Sequence, residues 1–224
     1  MSELRAIQAL LFDTGGVLYH RPRQNRHLQA FLEAHGLRLR HPAVLEKALR
    51  AARFDAQTGR ISRETFYDGI LRINGLQEEQ LFPAGRAAIY RDAIDIELFP
   101  GVAEVLVALH EAGVLLGAIS DTPHRAEEKI AWLEAHGVPS ELWTVFLVSA
   151  DVGVTKAEPL IFEYALEALA LAPHAVAYVG HATAELLSAR EAGLVTVAFL
   201  PDEYTVEADW TVGSFYELAE LVLG

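Results

Sequence analysis

The sequence predicts an α/β protein whose core is a doubly wound parallel sheet, interrupted by an inserted helical segment. Short apolar runs alternate with stretches of helical periodicity, several of which end at a glycine. Strands that alternate with helices of ~10–15 residues form right-handed parallel βαβ units. The predicted strands are residues 7–12, 114–119, 144–148, 175–179 and 195–199, with a short edge strand at 209–212. The predicted core helices are residues 102–111, 125–136, 159–169, 183–192 and 215–223, and residues 150–158 are predicted to form a loop.

Residues 20–98 lack strand-like runs and form the inserted segment, which we call the cap. Helical periodicity covers residues 27–34, 42–54 and 62–71, and a further helix is predicted between 76 and 94. Ser62 followed by Glu64 favours a helix start at that point. We therefore expect a core domain formed by residues 1–19 and 99–224, and an all-helical cap domain formed by residues 20–98.

Composition and charge narrow the classes of function. The formal net charge of −13 repels a polyphosphate backbone, which argues against nucleic acid as a partner. No apolar run approaches the ~20 residues that span a bilayer, and no signal-peptide pattern is evident, so no membrane partner is expected. The chain has no cysteine, which excludes disulfides and thiolate chemistry. We therefore expect a cytoplasmic protein that acts on a small molecule.

Polar side chains follow four of the predicted strands. Asp13 and Ser120 come at strand ends, Lys156 lies in the loop after the third strand, and His181 follows the fourth. The carboxyl ends of parallel strands meet at one edge of a sheet, where ligands bind. A carboxylate nucleophile, a hydroxyl and an ammonium are what phosphoryl transfer through an aspartyl-phosphate needs. Taken singly, Asp13 and Ser120 can be helix caps and Lys156 a solvated surface lysine.

Four segments resemble, in order, the motifs of the haloacid dehalogenase-like (HAD) hydrolase superfamily. Residues 13–18, Asp-Thr-Gly-Gly-Val-Leu, are similar to its first motif, Asp-x-Asp-Gly-Thr/Val-Leu. Residues 115–120 resemble the second motif, an apolar strand that ends in Ser or Thr. Residues 153–162 resemble the third motif with its lysine, and residues 179–185 align with the fourth, Gly-Asp-x-x-x-Asp. The resemblance covers essentially the whole chain, including the cap.

The resemblance implies a fold, a set of roles and a cofactor. It implies a Rossmann-like core with a cap that shields the site and selects substrates. It implies Asp13, Ser120 and Lys156 as catalytic residues, with Asp13 as the nucleophile, and a divalent cation, which by resemblance is Mg²⁺. The implied phosphate-binding residues are Thr14, Gly16, Ser120, Asp121 and Lys156, and the implied metal ligands are Asp13, the Gly15 carbonyl, His181 and Glu185.

Two of the departures from the family pattern bear most directly on function. Gly15 stands where the first motif has a second aspartate, the general acid and base of the family, and proton transfer of that kind contributes ~10²–10⁴-fold. His181 stands where the fourth motif has an aspartate that binds Mg²⁺. Imidazole suits Mn²⁺, Co²⁺ or Zn²⁺ better than Mg²⁺, and His181 can alternatively serve as a hydrogen-bonding residue of its loop.

Three functions stay open at this point. The leading interpretation is a metal-assisted phosphatase of small phosphorylated metabolites. The second is a catalytically degenerate binding protein, which Gly15 and His181 motivate. The third is a 2-haloacid dehalogenase, in which Asp13 attacks carbon without a metal and the arginines after the first motif hold the halide. The expected partner is a phosphorylated small molecule, and the chain is expected to be a monomer or a homodimer.

Overall fold

The core of the protein is a six-stranded sheet, and every strand pair in it is parallel. The computed structural model describes residues 7–201 and 207–224. The strands of the sheet are β1 (Ala9–Asp13), β4 (Leu115–Ser120), β5 (Trp143–Val148), β6 (Val176–Gly180), β7 (Val195–Phe199) and β8 (Trp210–Val212). Their spatial order is β5-β4-β1-β6-β7-β8, so the chain winds outward from β1 in both directions. The predicted doubly wound α/β fold is confirmed.

Helices cover both faces of this sheet. They are α5 (Val102–Glu111), α6 (Ala126–Glu134), α7 (Ser149–Val152), α8 (Leu160–Leu169), α9 (Thr183–Glu191) and α10 (Phe215–Leu223). Alternate residues of β1 point to opposite faces. Leu10 and Phe12 pack in the same apolar cluster as α5, α6 and α10, whereas Ala9 and Leu11 pack with α8 and α9. This burial on both faces is why β1 is a continuous apolar run in the sequence.

The inserted segment contains α1 (Arg26–Ala34), α2 (Pro42–Gln57), α3 (Arg63–Ile73) and α4 (Phe82–Ile94). These helices share their own apolar cluster, which includes Leu32 and Leu71. The Ser62 side chain accepts a hydrogen bond from the Thr65 backbone N–H at 3.1 Å, so α3 begins where the sequence predicts. No helix in the described ranges is long and apolar enough to cross a bilayer.

The structure differs from the sequence prediction in short elements. A two-stranded antiparallel ribbon, β2 (Tyr19–His20) with β3 (Glu97–Leu98), lies where the chain enters and leaves the inserted segment. The predicted loop at 150–158 begins instead with the single helical turn α7. Elements of two to four residues are too short to show a periodic pattern, so the sequence alone did not reveal them.

A polar cluster joins the inserted segment to the core beside the sheet edge. Arg63 of α3 forms an ion pair with Glu128 of α6 at 2.7 Å and contacts His124 Nδ1 at 2.9 Å. The Tyr67 hydroxyl lies 3.1 Å from His124 Nε2. Burial and the Arg63 charge lower the pKa of His124 to about 3, so this imidazole is neutral in the folded protein.

We expect His124 to make stability depend on pH. Its pKa is about 3 when folded and 6.5 in the reference state, so the unfolded chain binds more protons between these values. The free energy of unfolding should therefore fall as the pH drops from 6.5 toward 3, by up to ~1.4 kcal/mol per pH unit. Urea unfolding from pH 4.5 to 7.5 measures this slope. The variant His124→Gln retains polar partners for Arg63 and Tyr67 but should lose this part of the slope; equal slopes would contradict the prediction.

Candidate active site

The four strand-end residues converge at the carboxyl edge of the sheet. β4 and β6 flank β1 on either side, and Asp13 pairs in register with Ile119, the neighbour of Ser120. Lys156 reaches the same place from the loop between α7 and α8, and His181 follows β6. The order of strands, which the sequence alone does not determine, therefore brings together the groups predicted to act together.

Asp13 is the centre of this cluster and is only 4% exposed. Its Oδ1 lies 2.6 Å from Lys156 Nζ and accepts the Thr14 backbone N–H at 2.6 Å, while its Oδ2 lies 3.3 Å from His181 Nε2. Burial raises the pKa of this carboxyl, but Lys156 and His181 lower it by more. The net shift is downward, so Asp13 is a carboxylate at neutral pH.

Lys156 lies between two carboxylates. Besides Asp13, its ammonium contacts Glu185 Oε1 at 2.9 Å, and the other Glu185 oxygen accepts the Tyr178 hydroxyl at 2.9 Å. Burial alone would lower the pKa of Lys156, but the two carboxylates raise it well above its ordinary value. The Lys156 backbone N–H donates to Asp121 Oδ1 at 3.0 Å, which fixes the loop on the end of β4. Glu185 therefore neutralises the charge of Lys156. The role of Glu185 as a metal ligand stays a prediction.

Two hydroxyls lie beside the nucleophile candidate. Thr14 Oγ1 and Ser120 Oγ are 2.8 Å apart, and both side chains are buried. Ser120 does not cap the following helix, because α6 begins six residues later and Arg125 occupies its N-cap position. The hydroxyl of Ser120 is therefore free of a capping role and lines the cavity in front of Asp13.

The two glycines after Asp13 differ in whether the fold requires a residue without a side chain. Gly16 has φ +85°, its N–H donates to the Tyr19 carbonyl at 2.8 Å, and a Cβ there would lie 2.6 Å from His181 Nε2. Its N–H is therefore engaged within the loop, and the predicted role of Gly16 in phosphate binding stays without support from this geometry. A Cβ at Gly15 would instead be 4.0 Å from the Tyr19 ring, an ordinary contact.

The cavity in front of Asp13 has a volume of about 170 Å³. Besides the predicted residues Asp13, Thr14, Gly15, Ser120, Asp121, Lys156 and Glu185, its lining includes Tyr19, Arg21, Thr122 and Lys129.

The sequence prediction missed Lys129 because this residue lies in the middle of a helix within a charged stretch. A signal was present, since Lys129 is three and four residues before the buried Trp132 and Leu133 and so shares their face. A larger cleft of about 350 Å³, between the inserted segment and α6, contains none of the strand-end residues.

The donor set for a metal is limited. In the described part of the chain, no three His, Asp or Glu side chains converge on one metal position. Asp13 Oδ2 and His181 Nε2 lie 3.3 Å apart, and Gly15, whose carbonyl is the third predicted ligand, lines the same cavity. Mg²⁺ prefers oxygen ligands in octahedral geometry, whereas Mn²⁺, Co²⁺ and Zn²⁺ accept imidazole. A site built from these three predicted ligands would therefore suit a first-row transition ion better than Mg²⁺.

Replacing Lys156 is expected to destabilise the protein strongly. Lys156→Met leaves the buried Asp13 and Glu185 carboxylates without the ammonium between them. Removing one partner of a buried ion pair costs ~3–5 kcal/mol. The double variant Lys156→Met/Glu185→Gln should regain part of this loss, because one uncompensated charge is removed. Urea unfolding measures both changes. Lys47→Met on the exposed face of α2 is the matched control, and a Lys156→Met protein as stable as this control would contradict the prediction.

The sequence resembles a known family of hydrolases along most of its length. A family model described as haloacid dehalogenase-like hydrolase matches residues 7–193. The chain is 27% identical over 208 residues to a glyceraldehyde 3-phosphate phosphatase from Methanopyrus kandleri. The aligned region covers 88% of this chain and 86% of that protein.

Solved structures show the same fold. A predicted phosphoglycolate phosphatase from Haemophilus somnus superposes with a TM-score of 0.71 at 18% identity, over 96% of this chain and 98% of that one. A 2-haloacid dehalogenase from Pseudomonas syringae pv. Tomato superposes with a TM-score of 0.73 at 19% identity, over 97% of this chain and 98% of that one. At these sequence identities the similarity shows the fold alone, so the type of reaction has to be inferred from the residues of the site.

Proposed function

The chain belongs to the haloacid dehalogenase-like hydrolase family, and we propose that this hydrolase is a phosphatase of small phosphorylated metabolites that works through an aspartyl-phosphate on Asp13. One observation carries the proposal. The ionised Asp13 carboxylate faces a small cavity together with the Lys156 ammonium and the hydroxyls of Thr14 and Ser120. The relative named a glyceraldehyde 3-phosphate phosphatase supports the same class of substrate.

In the first step, an Asp13 carboxylate oxygen attacks phosphorus and the bond between phosphorus and the ester oxygen breaks. Lys156 and the hydroxyls of Ser120 and Thr14 bind the phosphoryl oxygens and stabilise their charge. Gly15 has no side chain that can donate a proton, so the leaving alkoxide takes its proton from water. We therefore expect the enzyme to favour esters whose leaving group is a weak base.

In the second step, a water oxygen attacks phosphorus of the aspartyl-phosphate and the bond from phosphorus to the Asp13 oxygen breaks. The Asp13 carboxylate is regenerated, inorganic phosphate leaves, and the proton of the water passes to solvent. Lys156 keeps the Asp13 pKa low, which makes the carboxylate a good leaving group.

Phosphatases of this family generally use a divalent cation. We propose that the Asp13 carboxylate, the Gly15 carbonyl and His181 would hold it here, and that Mn²⁺, Co²⁺ or Zn²⁺ suits these ligands better than the Mg²⁺ that family resemblance implies. When bound, such a cation neutralises negative charge between the carboxylate and the phosphoryl group.

Phosphate release from a panel of phosphorylated metabolites tests the proposal. The assays contain Mg²⁺, Mn²⁺, Co²⁺ or Zn²⁺ in turn, and we expect release with at least one ion. Beryllium fluoride, which mimics a phosphoryl group on a carboxylate, should form an adduct detectable by fluorine NMR. Absence of phosphate release from every ester with every ion would overturn the proposed function.

The second candidate is a binding protein without turnover, which the glycine at position 15 and the histidine at position 181 favour. It predicts that phosphate esters bind in calorimetry, while phosphate release and the beryllium fluoride adduct are both absent. Chloride release from 2-chloropropionate, which the phosphatase proposal excludes as the main activity, would instead indicate dehalogenase chemistry on Asp13.

A further inference from the structure

Lys129 is a buried lysine on the wall of the cavity. It lies on α6 and is 2% exposed. Its ammonium donates a hydrogen bond to the Tyr19 hydroxyl and lies 4.6 Å from the centre of the Tyr19 ring and 5.0 Å from that of Trp132. Both Lys129 and Tyr19 line the cavity that contains Asp13. A buried cation requires compensating interactions, because burial disfavours its charged form.

The partners of Lys129 include no carboxylate. Among residues 7–201 and 207–224, no Asp or Glu oxygen lies within the 4.0 Å ion-pair distance of its Nζ. Burial lowers the pKa of Lys129, and the neighbouring Arg21 charge lowers it further, while Tyr19 and the more weakly acting Asp13 charge together raise it by less. Lys156 is the contrast, since it lies between two carboxylates in the same cavity. Among the described residues, Lys129 therefore has no carboxylate in direct ion-pair contact, and the Asp13 carboxylate that acts on it from farther away is already paired with Lys156.

Arg21 adds a second cation on this side of the cavity. Its guanidinium lies 5.4 Å from the centre of the Tyr19 ring, and its Nε donates to the Ala93 carbonyl at 3.2 Å. As for Lys129, no carboxylate in the described ranges forms an ion pair with it. The side of the cavity formed by Tyr19, Arg21 and Lys129 thus carries excess positive charge, which we call the cationic wall.

We propose that the cationic wall binds a second anionic group of the substrate, a carboxylate, so that the preferred substrates are short phosphorylated carboxylic acids. Asp13, Ser120 and Lys156 take the phosphoryl group, while Lys129, Arg21 and the Tyr19 hydroxyl take the carboxylate. The inference rests on the proposed phosphatase function and refines its substrate class.

The cavity has room for a small doubly anionic substrate. Its volume of about 170 Å³ accommodates a phosphoryl group joined to an acid of two or three carbons. A carboxylate also matches the donors available, because its two oxygens can accept from the ammonium and from a hydroxyl or guanidinium N–H.

Two esters of equal chain length test the proposal. 2-Phosphoglycolate ends in a carboxylate and 2-hydroxyethyl phosphate ends in a neutral hydroxymethyl group. We expect kcat/KM of the wild type to be about 10- to 100-fold higher for the acid, the effect of losing a hydrogen bond to a charged group. Lys129→Met keeps the length of the side chain without its charge. It should lose this preference, so that the ratio of the two kcat/KM values falls to about one.

The outcomes separate the two proposals. Equal losses for both esters in Lys129→Met, or no preference for the acid in the wild type, would overturn the carboxylate role of the cationic wall. Failure of the wild type to hydrolyse any ester would instead overturn the phosphatase function.

Binding measurements keep the carboxylate inference testable even if the wild type is inactive. Calorimetry of both esters with Asp13→Asn, and with Asp13→Asn/Lys129→Met, should show about 10- to 100-fold tighter binding of 2-phosphoglycolate only when Lys129 is present. If Lys129→Met does not fold, Arg21→Gln, whose side chain is partly exposed, provides the same comparison with a smaller expected effect. Equal binding of the two esters to Asp13→Asn would overturn the inference.

Discussion

Asp13→Asn is expected to lower phosphate release by roughly 10⁵-fold or more, the scale of removing a covalent nucleophile from an enzyme. A carboxamide oxygen is a poor nucleophile and carries no charge, so it cannot form the aspartyl-phosphate. The amide oxygen can still accept from Lys156 and from the Thr14 N–H, and Lys156 keeps Glu185 as a counter-ion. The variant should therefore fold, which thermal melting can establish before kinetics are measured.

A matched Asp→Asn substitution elsewhere distinguishes loss of the nucleophile from a general effect of removing a carboxylate. Asp151→Asn changes the same group outside the cavity, where Asp151 forms an ion pair with the exposed Arg125 at 3.3 Å. Exposed pairs contribute ~0–1 kcal/mol, so this variant should retain wild-type turnover. The beryllium fluoride adduct should be absent in Asp13→Asn and present in Asp151→Asn. An Asp13→Asn enzyme that keeps more than about a tenth of wild-type turnover would contradict the nucleophilic role.

The positions of Asp13, Ser120 and Lys156 were predictable because each follows a strand with a clear apolar pattern. Parallel strands place their carboxyl ends at one edge, so linear order along the chain becomes proximity in space. The contacts within the cluster were not predictable in this way. The position of Lys156 between Asp13 and Glu185, and the engagement of the Gly16 N–H within its own loop, depend on loop conformations that have no periodic signal.

The cationic wall shows a second limit of sequence patterns. Tyr19 belongs to a two-residue strand and Lys129 to the buried face of a helix, and 109 intervening residues separate them. Each alone has an ordinary explanation, as a core tyrosine and as a lysine of a charged helix. Only the packing of α6 against β2 and the cavity shows that the ammonium is buried and lacks a carboxylate. Such a juxtaposition arises from tertiary structure, and neither composition nor spacing encodes it.

Gly15→Asp is expected to raise turnover of alkyl phosphates by about 10²–10⁴-fold, the usual contribution of a positioned general acid and base. The position has room for a side chain, because a Cβ would lie 4.0 Å from the Tyr19 ring and the backbone is not in the left-handed region. The new carboxyl group would protonate the leaving alkoxide and then accept a proton from the attacking water. Glycerol 3-phosphate is a suitable substrate because it has no carboxylate. A substrate carboxylate and the new carboxylate at position 15 would both interact with the cationic wall, which would complicate the comparison.

The dependence on leaving group shows whether proton transfer is the cause. p-Nitrophenyl phosphate releases a weakly basic phenolate that needs little protonation, so Gly15→Asp should accelerate its hydrolysis much less than that of glycerol 3-phosphate. Gly15→Asn has nearly the same shape without an ionisable group and should stay close to wild-type turnover with both esters. Equal acceleration by Asp and Asn would indicate a conformational effect. A folded Gly15→Asp enzyme with unchanged turnover would show that the missing carboxylate does not limit this hydrolase, because proton transfer through water is already fast enough.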